Sequence, residues 1–310
     1  MSALAVRGLR VSFDHPLGLV RAVDDVSFDL RPIERFGLVG ESGSGKSTMA
    51  LAIMRMIRPP GHIDGGDILL GDKNLSTLSA EEVRQTRLAG IAMVPQGSMN
   101  ALNPVMRVGD QVTDAMRDHG IKPSDIGALM ARVGLPAGTA EKYPHELSGG
   151  MKQRVCIAIA MCLRPTVIIA DEPTSALDVV VQRQVMRTLA DVQRDLNAAI
   201  LLIGHDMGLM AQFVDRLGVM YAGRLVEIAP ITEVVRRPRH PYTEMLIASL
   251  PSMDHKDVLR GIPGLAPLLR DLPSGCAFHP RCPKAQDRCA IERPEPREVE
   301  SGVLVRCHFA

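Results

Sequence analysis

The chain has 310 residues, of which 46% are hydrophobic and 23% are charged. This composition predicts a soluble globular protein of about two domains and excludes a disordered or fibrous chain. Because 36 Lys and Arg residues nearly balance 35 Asp and Glu residues, we expect no nucleic-acid partner held by bulk charge. The longest apolar run, Val155 to Leu163, is shorter than the roughly 20 residues that span a bilayer. The first residues show no export signal, which predicts a cytoplasmic chain.

Apolar periodicity predicts alternating strands and helices along most of the chain. The predicted strands are 9–13, 26–30, 36–40, 91–94, 166–170 and 199–203, and the predicted helices are 47–57, 79–88 and 179–196. This alternation favours a mostly parallel sheet covered on both faces by helices.

Two segments depart from this alternation. Residues from about 100 to 163 lose the strand pattern and predict a helical insertion. After a predicted hairpin over 219–227, prolines recur from residue 230 onward and exclude long regular elements beyond perhaps 242–250. We therefore predict two domains, 1–230 and 231–310.

A glycine-rich loop joins the third predicted strand to a helix. The segment Gly40-Glu-Ser-Gly-Ser-Gly45-Lys46-Ser47 matches G-x-x-x-x-G-K-[ST] in the strand-to-helix context that the motif requires. Its backbone N–H groups and the helix N-terminus attract phosphate, Lys46 would reach the β and γ phosphates, and Ser47 would bind Mg²⁺. The loop therefore predicts a nucleoside triphosphate site.

Two adjacent carboxylates end an otherwise apolar predicted strand. Asp171 suits a Mg²⁺ ligand, and Glu172 suits a base that orients or deprotonates water, because phosphoryl transfer depends on positioning and charge stabilisation. A second anion site is indicated where Ser148, Gly149 and Gly150 open a helix.

Three further residues occur in order with these motifs. Gln96 closes a strand, Asp178 precedes a long helix, and His205 closes a later strand. Over residues 4–230 the chain resembles the ATP-binding cassette (ABC) ATPases. The resemblance implies an α/β, P-loop NTPase, ABC-type nucleotide-binding domain: a mostly parallel sheet plus an antiparallel β subdomain, with a helical insertion and a small irregular Cys-containing C-terminal extension.

The resemblance also implies a role for each site residue. Glu172, His205 and Gln96 would be catalytic; Ser47, Gln96 and Asp171 would bind Mg²⁺. The residues expected to contact ATP are Phe13, Gly40, Ser42, Gly43, Ser44, Gly45, Lys46, Ser47, Thr48, Gln96, Asp171, Ser148, Gly149, Gly150 and Asp178. Phe13 would stack on adenine where the family usually has Tyr. Ser148 and Gly150 would contact ATP held by a second cassette, and Asp178 would lie across that interface.

Further features resemble the ATPase subunits of oligopeptide, dipeptide and nickel importers. These are Met151 in LSGGM, Leu102-Asn-Pro104, Arg239-His-Pro-Tyr-Thr243 and Gly275-Cys-Ala-Phe-His-Pro-Arg-Cys282. The resemblance implies a peripheral subunit at the cytoplasmic face of the inner membrane. Its partners would be two permease subunits, a second ATPase subunit and, indirectly, a solute-binding protein. The alternatives are a homodimer, a nickel importer, a regulatory protein without turnover and a soluble ATPase acting on nucleic acid.

Four of the six cysteines lie in the last 35 residues: Cys276, Cys282, Cys289 and Cys307. Zinc sites usually have closely paired cysteines that this segment lacks, whereas a [4Fe-4S] cluster takes four cysteines at varied spacing. We therefore predict a [4Fe-4S] cluster here, with Zn²⁺ and free buried thiols as alternatives. Cys156 and Cys162 are interpreted as core residues.

Overall fold

The computed structural model describes residues 2–97, 101–123, 125–249 and 261–310. The chain forms two compact units. The first unit comprises residues 1–4, 29–34 and 69–202, and the second comprises residues 5–28, 35–68 and 203–310. Throughout the described residues, every helix is too short or too polar to cross a bilayer.

The second unit contains most of the strands. They are β1 (Leu4–Phe13), β2 (Val20–Leu30), β3 (Arg35–Val39), β4 (Gly61–Leu70), β9 (Arg216–Tyr221), β10 (Arg224–Pro230), β11 (Arg297–Glu300) and β12 (Val303–Val305). One sheet has the order β2-β1-β4, and a second has the order β11-β12-β10-β9-β3. In the second sheet β3 is parallel to β9, whereas β9 and β10 form an antiparallel hairpin. The helices are α1 (Lys46–Ile53), α7 (Met207–Phe213), α8 (Ile231–Arg236), α9 (Pro241–Ala248) and α10 (Asp287–Ile291), with a 3₁₀ turn over His279–Arg281.

The first unit is richer in helices. They are α2 (Ala80–Thr86), α3 (Val108–Asp118), α4 (Ile126–Arg132), α5 (Gly149–Met161) and α6 (Val179–Leu196), with 3₁₀ turns over Ala137–Glu141 and Pro144–Glu146. Its strands are β5 (Lys73–Asn74), β6 (Ile91–Val94), β7 (Val167–Asp171) and β8 (Ala199–Ile203). β8, β7 and β6 are neighbours, and β6 is parallel to β7. Residues of β7 and β8 are buried along their whole length.

Local capping explains the helices that begin where the sequence predicts. The Ser79 side chain accepts from Glu82 N–H and Glu82 bonds back to Ser79 N–H, a complete capping box at the start of α2. The Asp178 carboxylate accepts from two N–H groups of the first turn of α6, and Asn197 ends that helix in the left-handed conformation. The predicted bounds of α6, β6 and β8 agree with the structure.

Other elements differ from the predictions. α1 ends at Ile53 rather than at 57, because Arg55 adopts a left-handed backbone with φ of 52°. β4 is absent from the predicted strands because its sequence contains three glycines, which disfavour strands. Tertiary pairing overrides that preference: a Cβ on Gly66 would lie 2.6 Å from Leu9 Cα, so only glycine permits this approach to β1.

The C-terminal segment holds more regular structure than its prolines suggest. β12 pairs with β10 in antiparallel register, with Glu227 opposite Val305, and β11 pairs with β12. α9 confirms the predicted short helix, although its predicted end at residue 250 lies outside the described residues, as does residue 100 at the predicted start of the insertion. The domain division at residue 230 stays a prediction.

Candidate active site

The glycine-rich loop of the second unit connects β3 to α1 and fits closely against its neighbours. Gly40 and Gly45 have φ of 155° and 103°. A Cβ on Gly40 would lie 2.1 Å from the Met220 carbonyl oxygen, and one on Gly45 would lie 2.1 Å from the Ala22 carbonyl oxygen. The backbone path of the loop therefore requires glycine at both positions.

Lys46 is buried at the first position of α1 and its ammonium group lies inside this loop. Its Nζ donates to Gly40 O at 2.8 Å, to Glu41 O at 2.9 Å and to Ser44 Oγ at 3.3 Å. The loop thus encloses a positive charge at a helix N-terminus, which is the arrangement that a phosphate group requires. Ser47 and Thr48 follow on the first turn of α1.

His205 lies at the same edge of the second unit as the loop. Gly204 N–H, immediately before it, donates to Leu38 O of β3 at 3.1 Å, and the His205 side chain is exposed. Phe13 is half-buried at the end of β1. Its ring covers Gly61, where a Cβ would come within 2.5 Å of the ring.

In the first unit, Gln96 and Glu172 meet at the ends of two parallel strands. β6 runs beside β7 with Val94 opposite Ala170. Gln96 Nε2 donates to Glu172 Oε2 at 2.9 Å. Glu172 has a left-handed backbone with φ of 45°, an uncommon conformation for a non-glycine residue that is often found at functional sites. Asp171, the last residue of β7, is buried.

The predicted second anion site also lies in the first unit. Ser148 is the exposed N-cap of α5, and its Oγ accepts from Met151 N–H at 3.4 Å. A Cβ on Gly150 would lie 2.3 Å from Val181 Cγ1, so the start of α5 packs closely on the first turn of α6, which Asp178 caps. The neighbouring Val179 and Val180 are 64% and 67% exposed, an uncommon position for adjacent apolar side chains.

The predicted [4Fe-4S] cluster is wrong. Cys276, Cys282, Cys289 and Cys307 line one cavity, as their spacing suggested, and all are free thiols. However, no three or more His, Cys, Asp or Glu side chains of the described residues are grouped so that they could hold a metal ion, which also overturns the Zn²⁺ alternative. Burial raises the pKa of Cys276 to about 11 and raises those of Cys282 and Cys307. Burial therefore disfavours the thiolate form of these three cysteines.

Aromatic packing, rather than a metal, supplies the core of the extension. Phe278 is buried and its ring centroid lies 5.2 Å from that of Tyr221 and 5.4 Å from that of Tyr242. Tyr221 and Tyr242 are themselves 4.6 Å apart. Such clusters stabilise both by area burial and by ring geometry.

Sequence reasoning missed three residues that contact or belong to the phosphate loop. Arg281 forms a two-point ion pair with Glu41, and Tyr242 Oη accepts from Glu41 N–H. The motifs that contain Arg281 and Tyr242 were noted only for their resemblance. No local signal could have joined them to Glu41, because 240 and 201 residues separate these partners along the chain.

Comparisons with known proteins place this geometry in a family. Residues 23–175 match the ABC transporter family, and residues 226–289 match the oligopeptide/dipeptide transporter C-terminal region. The chain is 43% identical to a peptide import ATP-binding protein of Brucella abortus (strain 2308), over 98% of this chain and 94% of the relative. It is 40% identical to the dipeptide transport ATP-binding protein DppD of Escherichia coli (strain K12), over 100% of this chain and 97% of the relative. The chain belongs to the ATP-binding subunits of ABC transporters.

Solved structures agree on the fold of this ABC subunit. The dimeric structure of MJ0796, a bacterial ABC transporter cassette, superposes with a TM-score of 0.66 at 23% identity, over 74% of this chain and 98% of that one. A post-hydrolysis state of MJ0796 bound to ADP and Pi gives a TM-score of 0.64. The predicted α/β, ABC-type fold is therefore confirmed, and the subunit is an ABC ATPase of the importer class.

Proposed function

We propose that this ABC subunit binds MgATP in the loop over residues 40–47 and hydrolyses it to drive uptake of dipeptides or oligopeptides through separate permease subunits. The observation that carries the proposal is Lys46, whose buried ammonium group is enclosed by the backbone of its own glycine-rich loop. On binding, its three donors would exchange loop oxygens for phosphate oxygens. The relatives named above for peptide or dipeptide transport support the solute class.

Each of the three predicted Mg²⁺ ligands carries an oxygen, the ligand atom that Mg²⁺ prefers. Ser47 offers a hydroxyl, Gln96 an amide oxygen and Asp171 a buried carboxylate. The ion would neutralise charge on the phosphates. Glu172 would take the proton of the attacking water while the Gln96 amide holds its carboxylate, and His205 would donate to the γ-phosphate.

The remaining roles concern adenine and a second cassette. Phe13 would stack on adenine at the end of β1. Ser148 and Gly150 would contact the nucleotide of a second cassette, and Asp178 would lie at the same interface. The exposure of Ser148 and of the valines that follow Asp178 supports a surface that is covered in an assembly.

We further propose a peripheral location at the cytoplasmic face of the membrane, with two permease subunits and a related second ATPase as partners and a solute-binding protein acting indirectly. The cassette would occupy residues 1–230, with a helical subdomain over about 100–163 that contacts the permease, and residues 231–310 would form the importer-type extension. A nickel importer is the second candidate, because the extension resembles that branch as well.

The decisive experiment measures ATP binding and turnover by the complex of this chain with its permease subunits. Lys46→Ala should abolish ATP binding, since the loop then presents no ammonium group to the phosphates. Lys73→Ala, which removes an exposed lysine of β5, is the matched control and should bind and hydrolyse ATP normally. Undiminished ATP affinity in Lys46→Ala would refute the nucleotide site. Stimulation of turnover by peptide-loaded binding protein, and not by nickel, would test the solute class.

A further inference from the structure

We propose that Arg281, in the C-terminal extension, is a positioning residue for ATP binding: it holds and neutralises Glu41 of the phosphate loop. The inference deepens the proposed function and rests on it. Glu41 follows Gly40, the first glycine of the loop, so a carboxylate lies within the segment that must receive a polyanion.

The contact between the two side chains is a two-point ion pair. Arg281 Nη1 donates to Glu41 Oε2 at 2.8 Å, and Nη2 donates to Oε1 at 2.9 Å. The Arg281 side chain is only 7% exposed, and that of Glu41 is 27% exposed. Paired, partly buried Arg–carboxylate contacts of this geometry are stronger and more directional than surface ion pairs.

Arg281 is itself fixed from other sides. Its Nε donates to Pro263 O at 2.8 Å, and Nη1 also donates to Tyr221 Oη at 3.2 Å. The guanidinium lies 6.0 Å from the ring centroid of Phe278. Its hydrogen bonds with Glu41 raise the pKa of Arg281 further, so that the positive charge persists at every physiological pH. A side chain held in this way can define the position of Glu41.

The backbone of Glu41 is held by the same extension. Tyr242 Oη accepts from Glu41 N–H at 2.9 Å, and Tyr242 is fully buried on α9. Glu41 O in turn accepts from Lys46 Nζ. Residues beyond 230 therefore hold both the side chain and the backbone N–H of Glu41. Because the Glu41 carbonyl accepts from Lys46, they also affect the position of the lysine that would bind phosphate.

Charge gives this arrangement a consequence for affinity. With Arg281 present, the Glu41 carboxylate is neutralised before ATP enters. Without it, a full negative charge would face the triphosphate. Repulsion between the Glu41 carboxylate and the triphosphate, at the dielectric constant of a protein surface, would weaken the ATP binding constant on the order of tenfold.

The test measures the ATP dissociation constant of the full-length chain by calorimetry, for the wild type, Arg281→Ala, Glu41→Gln and the double variant. Arg281→Ala should weaken ATP binding by about tenfold, because Glu41 is left unpaired. Glu41→Gln should bind ATP at least as tightly as the wild type. The double variant should regain most of the lost affinity, since neither charge remains, and a purely structural role of Arg281 would give no such recovery.

Lys284→Ala is the matched control, because Lys284 pairs with Glu244 on the surface of the same extension; it should leave ATP affinity unchanged. Wild-type affinity in Arg281→Ala, or an equal loss in the single and double variants, would overturn the proposal while leaving the proposed function intact. If Arg281→Ala does not fold, Glu41→Gln decides: a loss of affinity there overturns the proposal. Failure of the wild type to bind ATP would refute the proposed function itself.

Discussion

Gln96 Nε2 lies 2.9 Å from Glu172 Oε2 and donates a hydrogen bond to it. The two residues follow β6 and β7, which are parallel neighbours, so the position of the carboxylate depends on the strand that leads into residues 100–163. The hydrogen bond thus joins Gln96, a predicted Mg²⁺ ligand, to Glu172, the predicted base.

Replacing this carboxylate by its amide tests the role of Glu172. Glu172→Gln keeps the shape of the side chain and its oxygen acceptor for Gln96, so ATP binding should persist. Turnover in the assembled complex should fall by about 10² to 10⁴-fold, the usual contribution of a general base. Phosphate release measures the rate, and nucleotide calorimetry measures binding.

Glu295→Gln is the control, because the Glu295 side chain is 83% exposed. It should hydrolyse ATP at the wild-type rate. A Glu172→Gln complex with the same rate would show that another group activates water.

The second prediction concerns the backbone of the phosphate loop. Gly45→Ala should abolish nucleotide binding and lower the melting temperature, because its Cβ would collide with the Ala22 carbonyl group. Gly18 also has positive φ, at 124°, but a Cβ there has no atom within 4 Å. Gly18→Ala should therefore incur only the backbone strain, about 1 to 2 kcal/mol. Calorimetric melting of both variants separates collision from strain, and equal shifts in melting temperature would contradict the close approach at Gly45.

A third prediction concerns an ion pair between β10 and β2. Arg224 Nε and Nη2 donate to Asp24 Oδ2 at 2.9 and 2.8 Å, and Asp24 is buried. Removing one partner of a buried pair costs about 3–5 kcal/mol, but Arg293 Nη1 at 3.4 Å would retain part of the interaction. Arg224→Ala should therefore lower the free energy of unfolding by roughly 2 kcal/mol.

Urea denaturation measures this loss. Arg288→Ala, which removes an exposed pair with Glu292 within one helical turn, should lower the free energy of unfolding by less than about 1 kcal/mol. A comparable effect of the two variants would mean that Asp24 is not buried as described.

The fourth prediction is a pH dependence of stability. Burial lowers the pKa of His240 from 6.5 to about 3. Below pH 6.5 the unfolded chain gains a proton that folded His240 does not take up. The stabilising contribution is therefore full above pH 6.5 and declines as the pH falls toward 3, by up to about 1.4 kcal/mol per pH unit.

In the wild type, His240 Nδ1 accepts a hydrogen bond from Tyr242 N–H at 3.0 Å. His240→Asn should reduce the decline in stability, because the Asn side chain keeps an acceptor for this N–H group and does not titrate. Burial raises the pKa of the adjacent Glu227, which acts in the opposite direction in both proteins. The difference in unfolding free energy between pH 7.5 and 5.5 is compared with that of His15→Asn, which replaces an exposed histidine. Identical pH slopes in His240→Asn and the wild type would contradict the prediction.

The parts of the molecule that the sequence predicts well depend on local rules. Asp178 followed by a periodic apolar pattern predicts α6, and a glycine-rich loop between a strand and a helix predicts the surroundings of Lys46. The pairing of Glu41 with Arg281 follows from no local rule, since the chain must fold before the two can meet. The cysteine spacing predicted correctly that the four thiols lie together, yet among the described residues no three or more possible ligands are placed to hold a metal ion.

The pairing of β12 with β10 has a consequence for folding during translation. β10 is synthesised well before β12, with α8, α9 and the proline-rich segment between them. Until β12 arrives, the backbone groups of β10 that it will cover form an open sheet edge that can pair with other chains. The nascent chain therefore passes through an aggregation-prone stage late in translation. A stalled ribosome or a premature stop codon between β10 and β12 would release a truncated chain with this exposed, aggregation-prone edge.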